Sequence, residues 1–157
     1  MLYGQDIGQA QRATSAILGV VLAEHRTTSD GWGVLNALAT GACPSERERL
    51  VPTLAGVLAT GPAAVEAEID DAEVAGLVRI APAPDGDPGA VRVELTPAGR
   101  VRHRSLQEDI DRVARELYSG IPEADLAAAH RVLAEVTVRA DGWLALWEAT
   151  RPAEPAR

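Results

Sequence analysis

The sequence predicts a mainly helical chain, a winged helix-turn-helix with a two-stranded wing and added dimerisation helices. Three observations carry this. Four apolar stripes at three- and four-residue spacing precede residue 77. Two short strand-like runs, Leu77-Val78-Ile80 and Val91-Val93-Leu95, flank the Pro-, Gly- and Asp-rich stretch APAPDGDPGA and read as a hairpin with a long tip. Two long striped helices then follow, with more apolar surface than a lone winged helix needs to bury. With 157 residues, 46% hydrophobic and 24% charged, the chain fits one domain with its own core.

The first helix follows from Ile7, Thr14, Ile17, Leu18, Val21 and Leu22, which share one face over about five turns. Thr27, Thr28, Ser29 and Asp30 offer N-caps for a second, in which Trp32, Leu35 and Leu38 repeat until Gly41. The third is expected to open with a Ser45/Glu48 capping box, to hold Pro52 in its first turn, and to bury Leu50, Leu54, Val57 and Leu58. Gly61-Pro62 punctuates, and Val65, Ile69 and Ala72 then stripe a fourth helix that Gly76 caps. After the hairpin, Thr96-Pro97 opens a fifth helix striped by His103, Leu106, Ile110, Val113 and Leu117. Beyond Gly120-Ile121-Pro122, a sixth carries Leu126, Ala129, His130, Leu133, Thr137, Ala140, Leu144 and Trp147 on one side. The chain thus reads as one subunit over 1–150: a winged-helix lobe at about 28–97, dimerisation helices at about 5–27 and 98–150, and a flexible tail at 151–157. Helices one, five and six, buried against a second copy, would make a symmetric homodimer, with Trp143 and Trp147 as anchors.

The charge balance narrows function. The formal net charge is −8, and all 15 basic residues are arginine, a poor electrostatic footprint for a nucleic-acid binder. The single cysteine, Cys43, permits no intrachain disulfide and no cysteine-based zinc site. It also lacks an adjacent base to activate it. Apolar stretches are broken within about ten residues, short of the ~20 a membrane span needs, and no signal-peptide pattern opens the chain. A cytoplasmic location without membrane contact is expected. No phosphate loop or other cofactor motif occurs, and no helix carries His-x-x-x-His or Glu-x-x-His metal spacing. Glu108, Asp109 and Asp111 read as a solvated helix face balanced by Arg112 and Arg115.

The segment AVRVELTPAGR (Ala90 to Arg100) resembles the second wing strand and following helix of the MarR family of winged-helix regulators. SDGWGVLNAL around Trp32 and VAGLVR ending at Arg79 are similar to further pieces of that family, in order and at its spacing. The resemblance covers nearly the whole chain. It implies a homodimer that binds a palindromic operator and releases it when a small molecule fills the cleft between lobe and dimerisation helices. The sequence departs from that pattern at both DNA-contacting elements. The recognition helix, from Gly61 to Ala75, has no basic residue and is expected to turn Glu66, Glu68, Asp70, Asp71 and Glu73 toward DNA. Carboxylates there repel phosphates. The wing writes Asp87-Pro88-Gly89, with Asp85 nearby, where the family carries arginines. Arg79 and Arg92 are the remaining DNA-contact candidates, and both belong to the strand pair. The expected function is therefore a MarR-like small-molecule-binding homodimer, a ligand sensor or a repurposed biosynthetic enzyme or carrier of secondary metabolism. The alternative is a DNA-binding regulator released by its ligand.

In the MarR-like arrangement the end of helix one and the start of helix five meet beside helix two and frame a cleft. Its expected apolar wall is Leu18, Val21, Val34 and Leu35, and its polar points are His25, Trp32, Asn36 and His103. Arg12 and Arg26 are placed to answer a carboxylate or phenolate. Trp32 suits a flat aromatic or polyketide-like molecule. Should the chain be an enzyme, His103 or His25 is the acid–base candidate. The alternative for each histidine is a half-buried packing residue bonded to a backbone carbonyl.

Overall fold

The structure, a computed structural model, describes residues 3–83 and 89–150. The wing-tip residues Asp85, Asp87 and Pro88 and the tail at 151–157 lie outside them. Helices α1 (Gly4–Glu24), α2 (Ser29–Thr40), α3 (Arg47–Leu58) and α4 (Pro62–Val74) precede strands β1 (Val78–Pro82) and β2 (Val91–Leu95). Helices α5 (Pro97–Leu117) and α6 (Glu123–Thr150) follow. The chain divides into two compact units, one reaching to Ala114 and the other beginning at Arg115.

Local chemistry sets the boundaries. Thr28 caps α2, its Oγ1 accepting the Gly31 N–H at 2.8 Å, and Gly41 ends that helix in the left-handed region at φ 67°. Pro62 sits in the first turn of α4, where a missing N–H costs nothing. Thr96 ties the start of α5 to the turn before β1. Its Oγ1 accepts the Gly99 N–H at 3.0 Å and donates to the Gly76 carbonyl at 2.7 Å. Gly99 lies so close to β1 that a Cβ there would stand 2.0 Å from the Leu77 carbonyl oxygen.

The core of the first unit joins Leu22 of α1, Val34 and Leu35 of α2, Leu50 and Leu54 of α3, and Val65 and Ile69 of α4 to Val78, Val93, Leu95 and Leu106. The strands pair antiparallel with Val78 opposite Leu95 and Ile80 opposite Val93. Period-two alternation therefore sends Val78, Val93 and Leu95 inward, while Arg79, Arg92 and Glu94 stay nearer solvent.

Helix α3 corrects three expectations. The Ser45/Glu48 box does not form; Glu46 is the N-cap, without a side-chain cap bond. The Ser45 carbonyl instead accepts the Val93 N–H at 2.8 Å, and Glu46 bridges Arg92, so this segment is drawn along β2 as a third edge. Pro52 lies inside the helix, not in its first turn, and faces solvent. Val57 is 71% exposed; Val51 and Ala55 take inward places beside Leu50 and Leu54. In the second unit, α6 buries none of its described residues, and Leu133, Val136, Trp143, Leu144 and Trp147 stand exposed.

Candidate functional site

Trp32 and Asn36 lie four residues apart on α2 and so share a face. His103 of α5 meets both. Its ring stacks on Trp32 with centroids 5.0 Å apart and planes 10° from parallel. Its Nε2 lies 3.1 Å from Asn36 Oδ1. An amide oxygen can only accept, so Nε2 carries the hydrogen and Nδ1 keeps the lone pair. That Nδ1 has no hydrogen-bond partner among the described residues. Burial pushes the His103 pKa below its ordinary value, so the ring is neutral near pH 7.

His103 opens onto a cavity of about 300 Å³ lined also by Ala39, Leu95, Arg100, Arg104, Gln107 and Glu108. Arg100 and Gln107 lie three residues before and four after His103, on its side of α5, and Arg104 lies about 100° around from it at the rim of the same cavity. No side-chain ion pair or hydrogen bond holds Arg100 or Arg104 among the described residues. Arg100 and Leu95 also border a neighbouring cavity of about 440 Å³ with Cys43, Ser45, Arg79 and Glu94.

His25 does not join this group, which corrects the expected single cleft. Its Nε2 pairs with Asp109 Oδ2 at 2.8 Å, and Arg102 donates to its carbonyl oxygen at 2.9 Å. Asp109 lies six residues beyond His103, about 120° around the helix and therefore on another face of α5. There His25, Arg102 and Ser105 line a separate cavity of about 550 Å³ with Leu77, Pro97, Ala98 and Val101. Asp109 is also no simple solvated acid. Hydrogen bonds from Arg112, and then from His25, hold its carboxyl below the usual range.

The remaining expected contacts are placed otherwise too. Val21, Val34 and Leu35 are sealed in the core at 6%, 0% and 2% exposure, so they wall no open cleft. Leu18 packs against that core from α1. Arg12 stands exposed 13 residues before His25, roughly 20 Å along the helix axis, too far to share a small ligand with it. Arg26 is not on α1, which ends at Glu24; it follows the C-cap at φ 50° and is exposed. Among the described residues no three His, Cys, Asp or Glu side chains converge as a metal would require.

The expected acidic recognition surface also needs correction. Of the five carboxylates of α4, Glu66 and Asp70 both accept from Arg47 of α3, the latter at 2.7 Å. Glu68 accepts from the Thr28 hydroxyl at 2.7 Å, and Glu73 accepts the Ile80 N–H at 3.3 Å. Asp70, Asp71 and Glu73 nevertheless remain exposed on α4, beside the small and apolar Ala63, Ala67 and Val74, while Glu66 and Glu68 are half-buried. The four arginines between Ser29 and Leu95 are all ion-paired. Arg47 holds Glu66 and Asp70, Arg49 lies 3.9 Å from Glu46, and Arg79 and Arg92 both grip Glu94 at 2.5 Å. On α6, Trp143 and Trp147 stack at 5.2 Å.

Sequence reasoning missed Arg47, Arg100, Arg104, Arg102 and Asp109 as partners in these groups. Helical spacing from His103 was available for Arg100. Nothing periodic links Arg47 to Glu66, 19 residues away.

No family model and no curated protein sequence matches the chain. Solved structures do. The transcriptional regulator PA3341 is 25% identical, with a TM-score of 0.75 over 90% of this chain and 99% of its own. Wild-type apo MarR from E. coli is 21% identical, with a TM-score of 0.68 over 87% and 96%. NadR in complex with 4-hydroxyphenylacetate is 19% identical, with a TM-score of 0.68 over 87% and 92%. The chain has a MarR-like, mainly α winged helix-turn-helix fold.

Proposed function

We propose that this chain is a small-molecule-binding protein that acts as a homodimer and has lost ordinary operator binding. It serves as a ligand sensor or as a repurposed biosynthetic enzyme or carrier. The observation that carries the ligand reading is the stacked Trp32–His103 pair, fixed by Asn36, beside a cavity with two unpaired guanidiniums. The His103 ring, backed by Trp32, gives a flat contact, its Nδ1 hydrogen-bonds a hydroxyl of the ligand, and Arg100 or Arg104 answers an anion. NadR binds 4-hydroxyphenylacetate, which has an aromatic ring, a hydroxyl and a carboxylate. A hydroxyaromatic acid of that size matches this site. In an enzymatic role, His103 Nδ1 is the proton acceptor.

Loss of operator binding rests on the paired arginines. Breaking an exposed pair costs only about 0.2–1 kcal/mol, so the pairing itself is no barrier. The obstacle is the carboxylate left beside the phosphate, since like charges at an interface cost several kcal/mol. The exposed Ala63, Ala67 and Val74 supply no side-chain donor to read base edges. The dimer is supported by the uncovered apolar face of α6 and by exposed Ile17 and Val20 on α1. Joining helices α1, α5 and α6 across a two-fold axis would bury more than ~2,000 Å² in total.

The second reading, a working repressor, is favoured by the neighbour PA3341, a transcriptional regulator of the same fold. An electrophoretic shift at low salt on DNA upstream of the chain's own gene separates them. No shift at micromolar protein is expected, and specific nanomolar binding would restore the repressor. For the ligand, titration of 4-hydroxyphenylacetate followed by tryptophan fluorescence should saturate in the wild type. Affinity should weaken at least tenfold in Trp32→Ala and in His103→Ala. Unchanged affinity in both variants, with melting temperatures lowered, would leave the two rings as packing residues.

A further inference from the structure

Resting on the ligand reading above, we infer that filling the His103 cavity with an anionic ligand loads one proton onto His103 Nδ1, so that binding is coupled to pH. The geometry leaves one place for that proton. Nε2 is committed as a donor to Asn36 Oδ1, one ring face is covered by Trp32, and Nδ1 holds the sole free lone pair of the imidazole. The charged groups around the cavity are Arg100, Arg104 and Glu108, all on α5. Helix α2 meets the His103 ring through Trp32 and Asn36 and lends Ala39 to the cavity, and β2 lends Leu95; none of these groups is titratable, and no other contact of the ring from either element is found among the described residues.

In the empty cavity two guanidiniums outnumber the one carboxylate, and the ring is half-buried; both conditions disfavour imidazolium. An anion seated between Arg100 and Arg104 reverses the local sign. The imidazolium then gains an attractive partner, and its cation is stabilised in the complex relative to the free protein. By linkage, affinity rises as pH falls, by up to about tenfold per pH unit, between the pKa of the complex and that of the free protein. The window lies above the free value, which burial sets below 6.5.

The probe is 4-hydroxyphenylacetate, whose carboxyl and phenol titrate at about 4 and 10, outside that window. Calorimetric titration near pH 7 in two buffers of different ionisation enthalpy gives the protons taken up per ligand bound. The wild type should take up close to one, and its affinity should fall well over tenfold from pH 6 to pH 8. His103→Gln should take up none and lose the pH dependence. Asn36→Asp places a carboxylate against Nε2 and charges the ring before the ligand arrives. Its uptake should therefore vanish as well, with the His103 imidazole nitrogen shifts of imidazolium already present in the free variant. Wild-type binding without proton uptake overturns the coupling and leaves the ligand site standing. Full uptake retained in His103→Gln or Asn36→Asp overturns the assignment to His103. Failure of the wild type to bind the probe at millimolar concentration overturns both the ligand class and the coupling.

Discussion

Replacing Gly99 by alanine puts a methyl group where the chain has no room for it. The added Cβ would stand 2.0 Å from the Leu77 carbonyl oxygen, 2.9 Å from its carbon and 3.0 Å from a Leu95 methyl. Two of these three atoms are backbone, so no rotamer change relieves the contact. The same carbonyl accepts the Thr96 N–H at 3.0 Å and the Thr96 hydroxyl at 3.2 Å, and Thr96 Oγ1 caps Gly99. Displacement by the angstrom or more needed therefore loosens the junction of β1 with α5. Overpacking costs about 1–3 kcal/mol, and a lost cap adds about 1. The sum, roughly 2–4 kcal/mol, lowers the melting temperature by about 7–15 °C in a unit of this size. Gly56→Ala is the matched control. It lies within α3, where an added Cβ would meet nothing within 4 Å, and should stabilise by about 0.5–1 kcal/mol. Thermal melts by circular dichroism compare the two. A Gly99→Ala protein melting within about 3 °C of the wild type would refute the close approach and the reasoning built on it.

Arg47→Ala should cost about 1 kcal/mol by leaving Glu66 and Asp70 facing one another, and Glu66→Gln in the same chain should return part of it; additive losses in a denaturant-melt double-mutant cycle would argue against that coupling. Leu106→Ala should cost about 2–5 kcal/mol because the side chain is fully buried, whereas Val57→Ala should stay within about 0.5; chemical denaturation ranks the two. Acid stability should fall in two stages. The His103 pKa is depressed in the fold, so neutral imidazole is favoured and stability drops as pH falls through 6.5 toward the folded value. His103→Gln should flatten that arm of a melting-temperature profile. Asp109 is depressed as well, so its contribution is present above 3.8 and is lost as pH falls below that through its folded value; Asp109→Asn should remove it.

The order and character of the elements are legible in the sequence, because apolar period is a local property that the chain displays without its partners. The stripes of Val65 and Ile69, the alternation Val91-Val93-Leu95 and the Thr96-Pro97 opening each specify a face or an end, and the structure uses each of them so. Trp32 and Asn36 were legible as one face of α2 for the same reason. Periodicity is silent about what a polar face meets. It took the folded chain to turn Glu66 and Asp70 toward Arg47 and Glu68 toward Thr28, where the sequence had pointed to five outward carboxylates without partners. Folding likewise drew Ser45–Glu46 onto β2, and it left Val57 outward against the amphipathic pattern. His25 and His103 were both read as polar points of one cleft, and nothing local distinguished them. Their separation came from the 120° between His103 and Asp109 around α5, since a charged partner at 2.8 Å fixes where a histidine goes more firmly than the stripe it sits on.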